Sequence, residues 1–120
     1  MVRDSKANLP VLVVDDHDET RNALVRLLDL QGYAVATAHD GQDALDYLQR
    51  RAVALIVMDL DMPRVDGWLL RRRLLDNPEL AHIPVVVFSA RAAGNLPDIA
   101  FVRKSDPSGL LDAIERGLLH

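Results

Sequence analysis

The chain has 120 residues, a formal net charge of -4 at neutral pH and no cysteine. This length predicts one domain that can bury a core of its own. The acidic balance argues against direct nucleic-acid binding, and the lack of cysteine excludes disulfides, thiolate zinc sites and thiol catalysis in this chain. No apolar stretch reaches the roughly 18 residues of a membrane span, and segment 1–8 is polar with no apolar signal core. We therefore expect a cytoplasmic domain over residues 9–120, preceded by a polar tail over 1–8.

Strand-like and helix-like segments alternate along the chain. Short apolar runs predict five strands, at residues 10–14, 34–38, 53–58, 84–88 and 99–102. Apolar residues at helical spacing predict helices between the first four strands and a last helix after the fifth. An aspartate is expected to cap each helix, at Asp18, Asp40, Asp66 and Asp106. Because strands alternate with helices, the predicted class is α/β with a parallel sheet.

The connection before the last strand is unusually short. Only residues 91–98 separate the motif VVVFSA from the fifth predicted strand, and they include Gly94 and Pro97. A crossover between parallel strands usually takes a dozen or more residues, most of them helical. Glycine and proline both oppose a regular helix. We expect a loop here, with at most one short turn.

Carboxylates follow two of the apolar runs directly. Asp15 and Asp16 come after the first predicted strand, and Asp59 comes after the third. Because the carboxyl ends of parallel strands share one edge of the sheet, these three side chains are expected to converge. Carboxylates that lie together repel one another, and a divalent cation relieves that repulsion. Oxygen ligands suit Mg²⁺, so the sequence predicts a magnesium site at this edge.

Four motifs stand in order at the ends of the predicted strands: VLVVDD, VMDLDMPRVDG, VVVFSA and FVRK. Together they resemble the receiver domains of bacterial two-component signalling, the response-regulator family that includes chemotaxis regulators. The resemblance covers nearly the whole chain. It implies a flavodoxin-like, doubly wound sheet of five parallel strands in the order 2-1-3-4-5. Against that pattern, the short segment 91–98 leaves the fourth helix of the family shortened or absent.

The resemblance implies specific roles for the acidic residues. Asp59 would be the phosphoacceptor, a nucleophile that attacks phosphorus. The expected Mg²⁺ ligands are Asp15, Asp16 and Asp59, joined by the backbone carbonyl of Asp61. The metal would neutralise the charge on the incoming phosphoryl oxygens. No other cofactor is expected.

The resemblance also assigns roles beyond the acidic residues. Ser89 would offer its hydroxyl to a phosphoryl oxygen, and Lys104 would supply a compact positive charge. Ser89 and Phe101 are the expected switch residues, although Phe101 fits equally well as an ordinary half-buried strand residue. The family has a proline after the lysine, whereas Ser105 follows here. We predict a trans bond between Lys104 and Ser105, because a non-proline cis bond costs about 2.5–4 kcal/mol.

The predicted function is therefore a phosphoacceptor module and not a turnover enzyme. A histidine kinase or a phosphotransfer protein would supply the phosphoryl group, and phosphorylation would change the affinity for an output domain or protein. One alternative is a receiver-like scaffold or dimerisation module that is not phosphorylated in the cell, because the segment 91–98 alters the usual output face. Another is a haloacid-dehalogenase-like phosphohydrolase, since Asp59 and Asp61 match its nucleophile and acid. Motif order opposes this second alternative. In that family the nucleophile ends the first strand and the paired acids come last, whereas in this chain the paired acids come first.

Overall fold

The fold is seen in a computed structural model, which describes residues 9–60, 66–90 and 99–119. The strands are β1 (Val11–Val14), β2 (Val35–Ala38), β3 (Leu55–Met58), β4 (Val85–Ser89) and β5 (Ala100–Arg103). The helices in the described ranges are α1 (Asp18–Leu30), α2 (Gly41–Arg50), α3 (Gly67–Asp76) and α4 (Pro107–Leu118). All five predicted strands are confirmed, with ends that differ by one or two residues.

The sheet is parallel throughout and has the strand order β2-β1-β3-β4-β5. β1 lies between β2 on one side and β3 on the other, so that Val14 pairs with both Ala38 and Met58. This is the flavodoxin-like order that the resemblance implies. The carboxyl ends of β1 and β3 are adjacent, which is what convergence of the acidic residues requires.

Alternate residues of the central strands pack into two separate cores. The α2–α3 core contains Leu12, Val14, Ile56 and Met58 from β1 and β3, with Ala44, Leu48, Leu70 and Leu74 from the helices. The α1–α4 core contains Val11, Val13, Leu55 and Val57 from the same strands, with Leu24, Leu28, Leu110 and Ile114. Both strands are fully buried, which explains why their sequences are apolar at every position.

Three of the four predicted helix caps are confirmed. The capping residues are Asp40, Asp66 and Asp106, and Pro107 occupies the first turn after the last of them. Each side chain accepts a hydrogen bond from a backbone N–H three residues later, at 2.7, 2.9 and 3.0 Å respectively. Each bond satisfies an N–H group that has no partner within its helix.

The prediction that Asp18 caps the first helix is wrong. His17 is the N-cap residue, it makes no side-chain cap hydrogen bond, and Asp18 is already helical. The helix begins one residue earlier than predicted because of contacts in the preceding turn. The carboxylate of Asp15 accepts the backbone N–H of His17 at 2.9 Å, and Asp18 forms an ion pair with Arg21 one turn along the helix.

Three expectations fall on residues outside the described ranges. These are the polar tail at 1–8, the loop at 91–98 with its shortened or absent helix, and the carbonyl ligand Asp61. The bond between Lys104 and Ser105 is trans, as predicted. Within the described residues, every helix is too short or too polar to cross a membrane.

Candidate functional site

Backbone hydrogen bonds extend the sheet by one residue beyond β1 and β3. The N–H of Asp15 donates to the carbonyl of Ala38 at 3.1 Å, and the N–H of Asp59 donates to the carbonyl of Val14 at 3.0 Å. These bonds bring the two aspartates to the same edge, as predicted. Asp15 is 2% exposed and Asp59 is 4% exposed. Two carboxylates are thus held together at a place where little solvent reaches them.

Lys104 joins these two carboxylates. Its Nζ lies 3.0 Å from Oδ2 of Asp15 and 2.9 Å from Oδ2 of Asp59. The backbone N–H of Lys104 donates to the carbonyl of Ser89 at 3.0 Å, which ties the end of β5 to the end of β4. The structure therefore brings Lys104 into the predicted site and places Ser89 next to it along the backbone.

The charged surroundings raise the pKa of Lys104 above its ordinary value of 10.5. Burial by itself lowers this pKa, because it removes water from the ammonium group. The hydrogen bonds to Asp59 and Asp15, and the negative charges of these residues, together outweigh burial. Lys104 is therefore a fixed positive charge at this edge of the sheet.

The acidic residues fit a divalent cation. Ligand atoms of Asp15, Asp16, His17 and Asp59 all lie within 4.8 Å of one another. Oδ1 of Asp16 is buried, and no group in the described ranges forms a hydrogen bond with it. A buried carboxylate oxygen that lacks a hydrogen bond is costly unless an ion or water binds it. The orphaned oxygen and the hard oxygen donors around it suit a cation such as Mg²⁺.

The two expected switch residues lie on neighbouring strands. Ser89 is the last residue of β4 and is buried, and Phe101 is half-buried on β5, where it pairs with Val87. The ring of Phe101 contacts the partly exposed Trp68, with 6.1 Å between the ring centroids. The ring of Phe101 thus connects β5 to the beginning of α3.

Gly67 allows α3 to begin directly against the end of β3. Its N–H donates to the carbonyl of Leu60 at 3.1 Å. A Cβ atom at this position would lie 2.6 Å from the carbonyl oxygen of Asp59 and 2.8 Å from Cα of Leu60. Because both of these are backbone atoms, no side-chain rotation relieves the clash. The Asp66-Gly67 part of the motif therefore supports the backbone of Asp59.

Sequence reasoning missed the role of Arg21. Its Nη1 donates to the backbone carbonyl of Asp15 at 2.8 Å, and the same guanidinium bonds to the carboxylate of Asp18. The side chain is largely buried in this position. Helical spacing was the available signal, because residues three and four apart on a helix lie on one face and so place Arg21 below the acidic turn. Arg21 stabilises the backbone from which Asp15 projects.

Comparison with known proteins agrees with this geometry. The sequence profile described as the response regulator receiver domain matches residues 11–111. The sensor histidine kinase RcsC of Salmonella typhimurium is 41% identical over 71 residues, which is 59% of this chain and 8% of that protein. Response regulator MprA of Mycobacterium avium is 40% identical over 81 residues, which is 68% of this chain and 35% of that protein. The chain thus spans about a third or less of the length of these relatives.

Solved structures share the fold over nearly the whole chain. Chemotaxis protein CheY4 of Vibrio cholerae has a TM-score of 0.84 at 25% identity, covering 93% of this chain and 100% of that one. The receiver domain of a signal transduction histidine kinase from Syntrophus aciditrophicus has a TM-score of 0.80 at 26% identity, covering 92% and 90%. Because the profile spans most of the sequence and the acidic edge lies where the motifs predict it, the chain belongs to the response regulator receiver domain family of two-component signalling.

Proposed function

We propose that this receiver domain accepts its phosphoryl group on Asp59, with Mg²⁺ bound beside it, and thereby changes its affinity for a partner. The observation that carries the proposal is the meeting of Asp15, Asp16 and Asp59 with Lys104 at one edge of the sheet. Phosphoryl transfer depends mainly on positioning and on charge neutralisation. This edge supplies a nucleophile, carboxylates that suit a metal and a fixed positive charge.

The reaction is a single displacement at phosphorus. An oxygen of the Asp59 carboxylate forms a bond to phosphorus while the bond from phosphorus to the donor's leaving group breaks. Lys104, already hydrogen-bonded to Asp59, orients this carboxylate and places a positive charge near the transferred group. The hydroxyl of Ser89 is the proposed donor to another phosphoryl oxygen. The carboxylates of Asp15 and Asp16 act as metal ligands.

The metal ligands we propose are Asp15, Asp16, Asp59 and the backbone carbonyl of Asp61. When bound, Mg²⁺ supplies positive charge that offsets the charge of the phosphoryl oxygens. The buried Oδ1 of Asp16, which forms no hydrogen bond within the described ranges, supports this assignment. The carboxylates hold the ion, and the strand ends hold the carboxylates in position.

We propose that Ser89 and Phe101 transmit the structural change that follows phosphorylation from the acidic edge to the surface of the domain. Ser89 ends β4 and Phe101 lies on the neighbouring β5, so a movement at the end of β4 reaches the aromatic ring through paired strands. The contact between Phe101 and Trp68 extends this route to the surface of α3. A change of the Phe101 rotamer would alter the surface around Trp68, which is 42% exposed.

A histidine kinase or a phosphotransfer protein is the proposed phosphodonor. The relatives include a sensor histidine kinase and response regulators that are much longer than this chain, which supports a partner or linked domain that reads the output. We propose a cytoplasmic location for the domain, together with this phosphodonor. Once phosphorylated, the domain acts as a signal and not as an enzyme that releases product repeatedly. The scaffold alternative shares the fold and differs in lacking phosphorylation, so it is separable by experiment.

Intact-mass measurement after incubation with acetyl phosphate and Mg²⁺ tests the acceptor. The wild-type protein should gain one phosphoryl group, and the Asp59→Asn variant or an excess of chelator should abolish the gain. Asp29→Asn, which changes an exposed aspartate of α1, is the matched control and should be labelled like the wild type. Equal labelling of Asp59→Asn would place the acceptor elsewhere, and no labelling of the wild type at any Mg²⁺ concentration would favour the scaffold.

A further inference from the structure

We propose that His17 is an additional ligand in the metal site, so that this site binds Ni²⁺ and Zn²⁺ more tightly than its carboxylates alone would allow. The inference rests on the proposed metal site and adds a nitrogen ligand to it. Imidazole suits nickel and zinc, whereas Mg²⁺ prefers oxygen. The consequence is a receiver site whose choice of metal depends on one residue beside the acidic pair.

The position of the imidazole matches that of a ligand. Nδ1 of His17 lies 3.2 Å from Oδ1 of Asp16 and 3.3 Å from Oδ1 of Asp15. Adjacent ligands of a six-coordinate ion with bonds of about 2.1 Å lie about 3.0 Å apart, and opposite ligands lie about 4.2 Å apart. The whole set, which includes Asp59, falls within 4.8 Å. Shifts of a few tenths of an ångström would bring all four groups to one ion.

The backbone holds His17 at this position. Its N–H donates to Oδ1 of Asp15 at 2.9 Å, and the residue is the N-cap of α1, where the chain enters the helix. The imidazole is 63% exposed, so a hydrated ion can reach it from solvent. Nδ1 is at hydrogen-bond distance, 3.3 Å, from Oδ1 of Asp15, and an ion bound between the two groups would take the place of the proton in that contact. The ring is therefore both accessible and close to the other ligands.

The orphaned oxygen of Asp16 provides the second observation. Although Nδ1 of His17 is within ion-pair distance, it does not hydrogen-bond to Oδ1 of Asp16, and no other group in the described ranges does so. Nδ1 contacts Oδ1 of Asp15 instead, so that within the described ranges Oδ1 of Asp16 keeps no donor. A cation bound between the two groups satisfies both the oxygen and the ring nitrogen.

Calorimetric titration with Ni²⁺, Zn²⁺ and Mg²⁺ at one pH tests the assignment. The His17→Ala variant should bind Ni²⁺ and Zn²⁺ about tenfold more weakly than the wild type, while its Mg²⁺ affinity stays nearly the same. His82→Ala is the matched control, because His82 is an exposed histidine that precedes β4 and therefore lies at the opposite edge of the sheet. Bound Cu²⁺ should show nitrogen coupling in its electron paramagnetic resonance spectrum, and His17→Ala should remove that coupling.

If His17 were only a positive counter-charge to the carboxylates, the His17→Ala variant would change metal affinity in the opposite direction. Removing it would strengthen the binding of all three ions, including Mg²⁺, and would overturn the proposal. Unchanged Ni²⁺ and Zn²⁺ affinities in His17→Ala would overturn it as well. The Asp16→Asn variant separates this inference from the proposed function. If the Mg²⁺ affinity is unchanged in Asp16→Asn, the proposed metal site itself is wrong. If the Mg²⁺ affinity falls in Asp16→Asn but the Ni²⁺ affinity is unchanged in His17→Ala, only the role of His17 is wrong.

Discussion

Lys104 balances part of the negative charge at the acidic edge. Its ammonium group lies 3.0 Å from the carboxylate of Asp15 and 2.9 Å from that of Asp59. Both carboxylates are almost fully buried. Charges that leave water need a compensating charge and hydrogen bonds. In the proposed function the same contacts orient Asp59 for phosphoryl transfer, so that one side chain would contribute to both stability and chemistry.

The pH dependence of unfolding should reveal the stabilising role of Lys104. Because its pKa is raised in the folded protein, its contribution is fully present below the ordinary pKa of 10.5. That contribution is lost as the pH rises through the higher, folded-state pKa. With divalent cations removed, Lys104→Met should unfold about 1–2 kcal/mol more easily at neutral pH, after allowance for the partial exposure of the ammonium group.

The same denaturant experiment carried from neutral to strongly alkaline pH provides the check. The difference in unfolding free energy between the wild type and Lys104→Met should shrink above pH 10.5, where the lysine loses its proton. A difference that stays constant through this range would show that Lys104 stabilises the protein by packing and not by charge.

The contact between α3 and the end of β3 determines where the backbone of Asp59 lies. Gly67 is buried against the carbonyl of Asp59 and Cα of Leu60, closer than any side chain would permit. Asp66 caps the helix at the same point by accepting the N–H of Leu69. A helix cap and a close backbone approach therefore act together to position the proposed phosphoacceptor.

Substitution of Gly67 by alanine should impair the site more than it impairs the fold. The added methyl group would displace backbone atoms, at a cost of about 1–3 kcal/mol in unfolding free energy. Because small errors in the position of a reacting group are costly, phosphorylation by acetyl phosphate should slow about tenfold or more. The rate of labelling, followed by intact mass at a temperature where the variant is folded, measures this effect.

Gly32→Ala is the matched control for this substitution. Gly32 has a φ of +88°, and among the described residues no atom other than those of its chain neighbours lies within 4 Å of the place that a methyl group would take. Alanine there therefore adds backbone strain of roughly 1–2 kcal/mol without a clash. It should lower the melting temperature and leave the labelling rate unchanged. Equal labelling rates for Gly67→Ala and the wild type would contradict the proposed positioning role.

Two cores that share one sheet hold the molecule together. Alternate residues of β1 and β3 enter the α2–α3 core and the α1–α4 core, so the sheet separates the two sets of helices. Neither core can form without the central strands. The described parts of the chain are therefore expected to unfold in one cooperative transition, as small single domains usually do.

Conservative truncations in the two cores should have additive effects. Ile56 is fully buried in the α2–α3 core, and Ile114 is fully buried in the α1–α4 core. Each substitution by valine should cost about 0.5–1.5 kcal/mol of unfolding free energy. Since the sheet lies between the two sites, the double variant should lose the sum of the two costs to within about 0.5 kcal/mol. Denaturant unfolding measures all three variants, and two separate transitions or a large coupling energy would contradict this description.

The predictable parts of the fold are those with local causes. Short apolar runs, each with at least one valine, marked every strand. Asp40, Asp66 and Asp106 marked the starts of three helices, because their capping bonds reach only three residues ahead. Asp18 failed as a cap because Asp15, from the end of β1, accepts the N–H that precedes it. That competing bond depends on the geometry of the strand end, which periodicity does not describe.

By itself, the sequence determined the α/β class, the five strands and the delivery of Asp15, Asp16 and Asp59 to strand ends, because these follow from short-range pattern and from the parallel arrangement. The tertiary structure alone decided the contacts between these groups. It placed Lys104 on Asp59 across 45 residues of sequence, and it brought Arg21 to the carbonyl of Asp15. Such contacts depend on which strands are neighbours and on how closely α1 and α3 pack against the sheet. Local sequence pattern carries no information about distances of that kind.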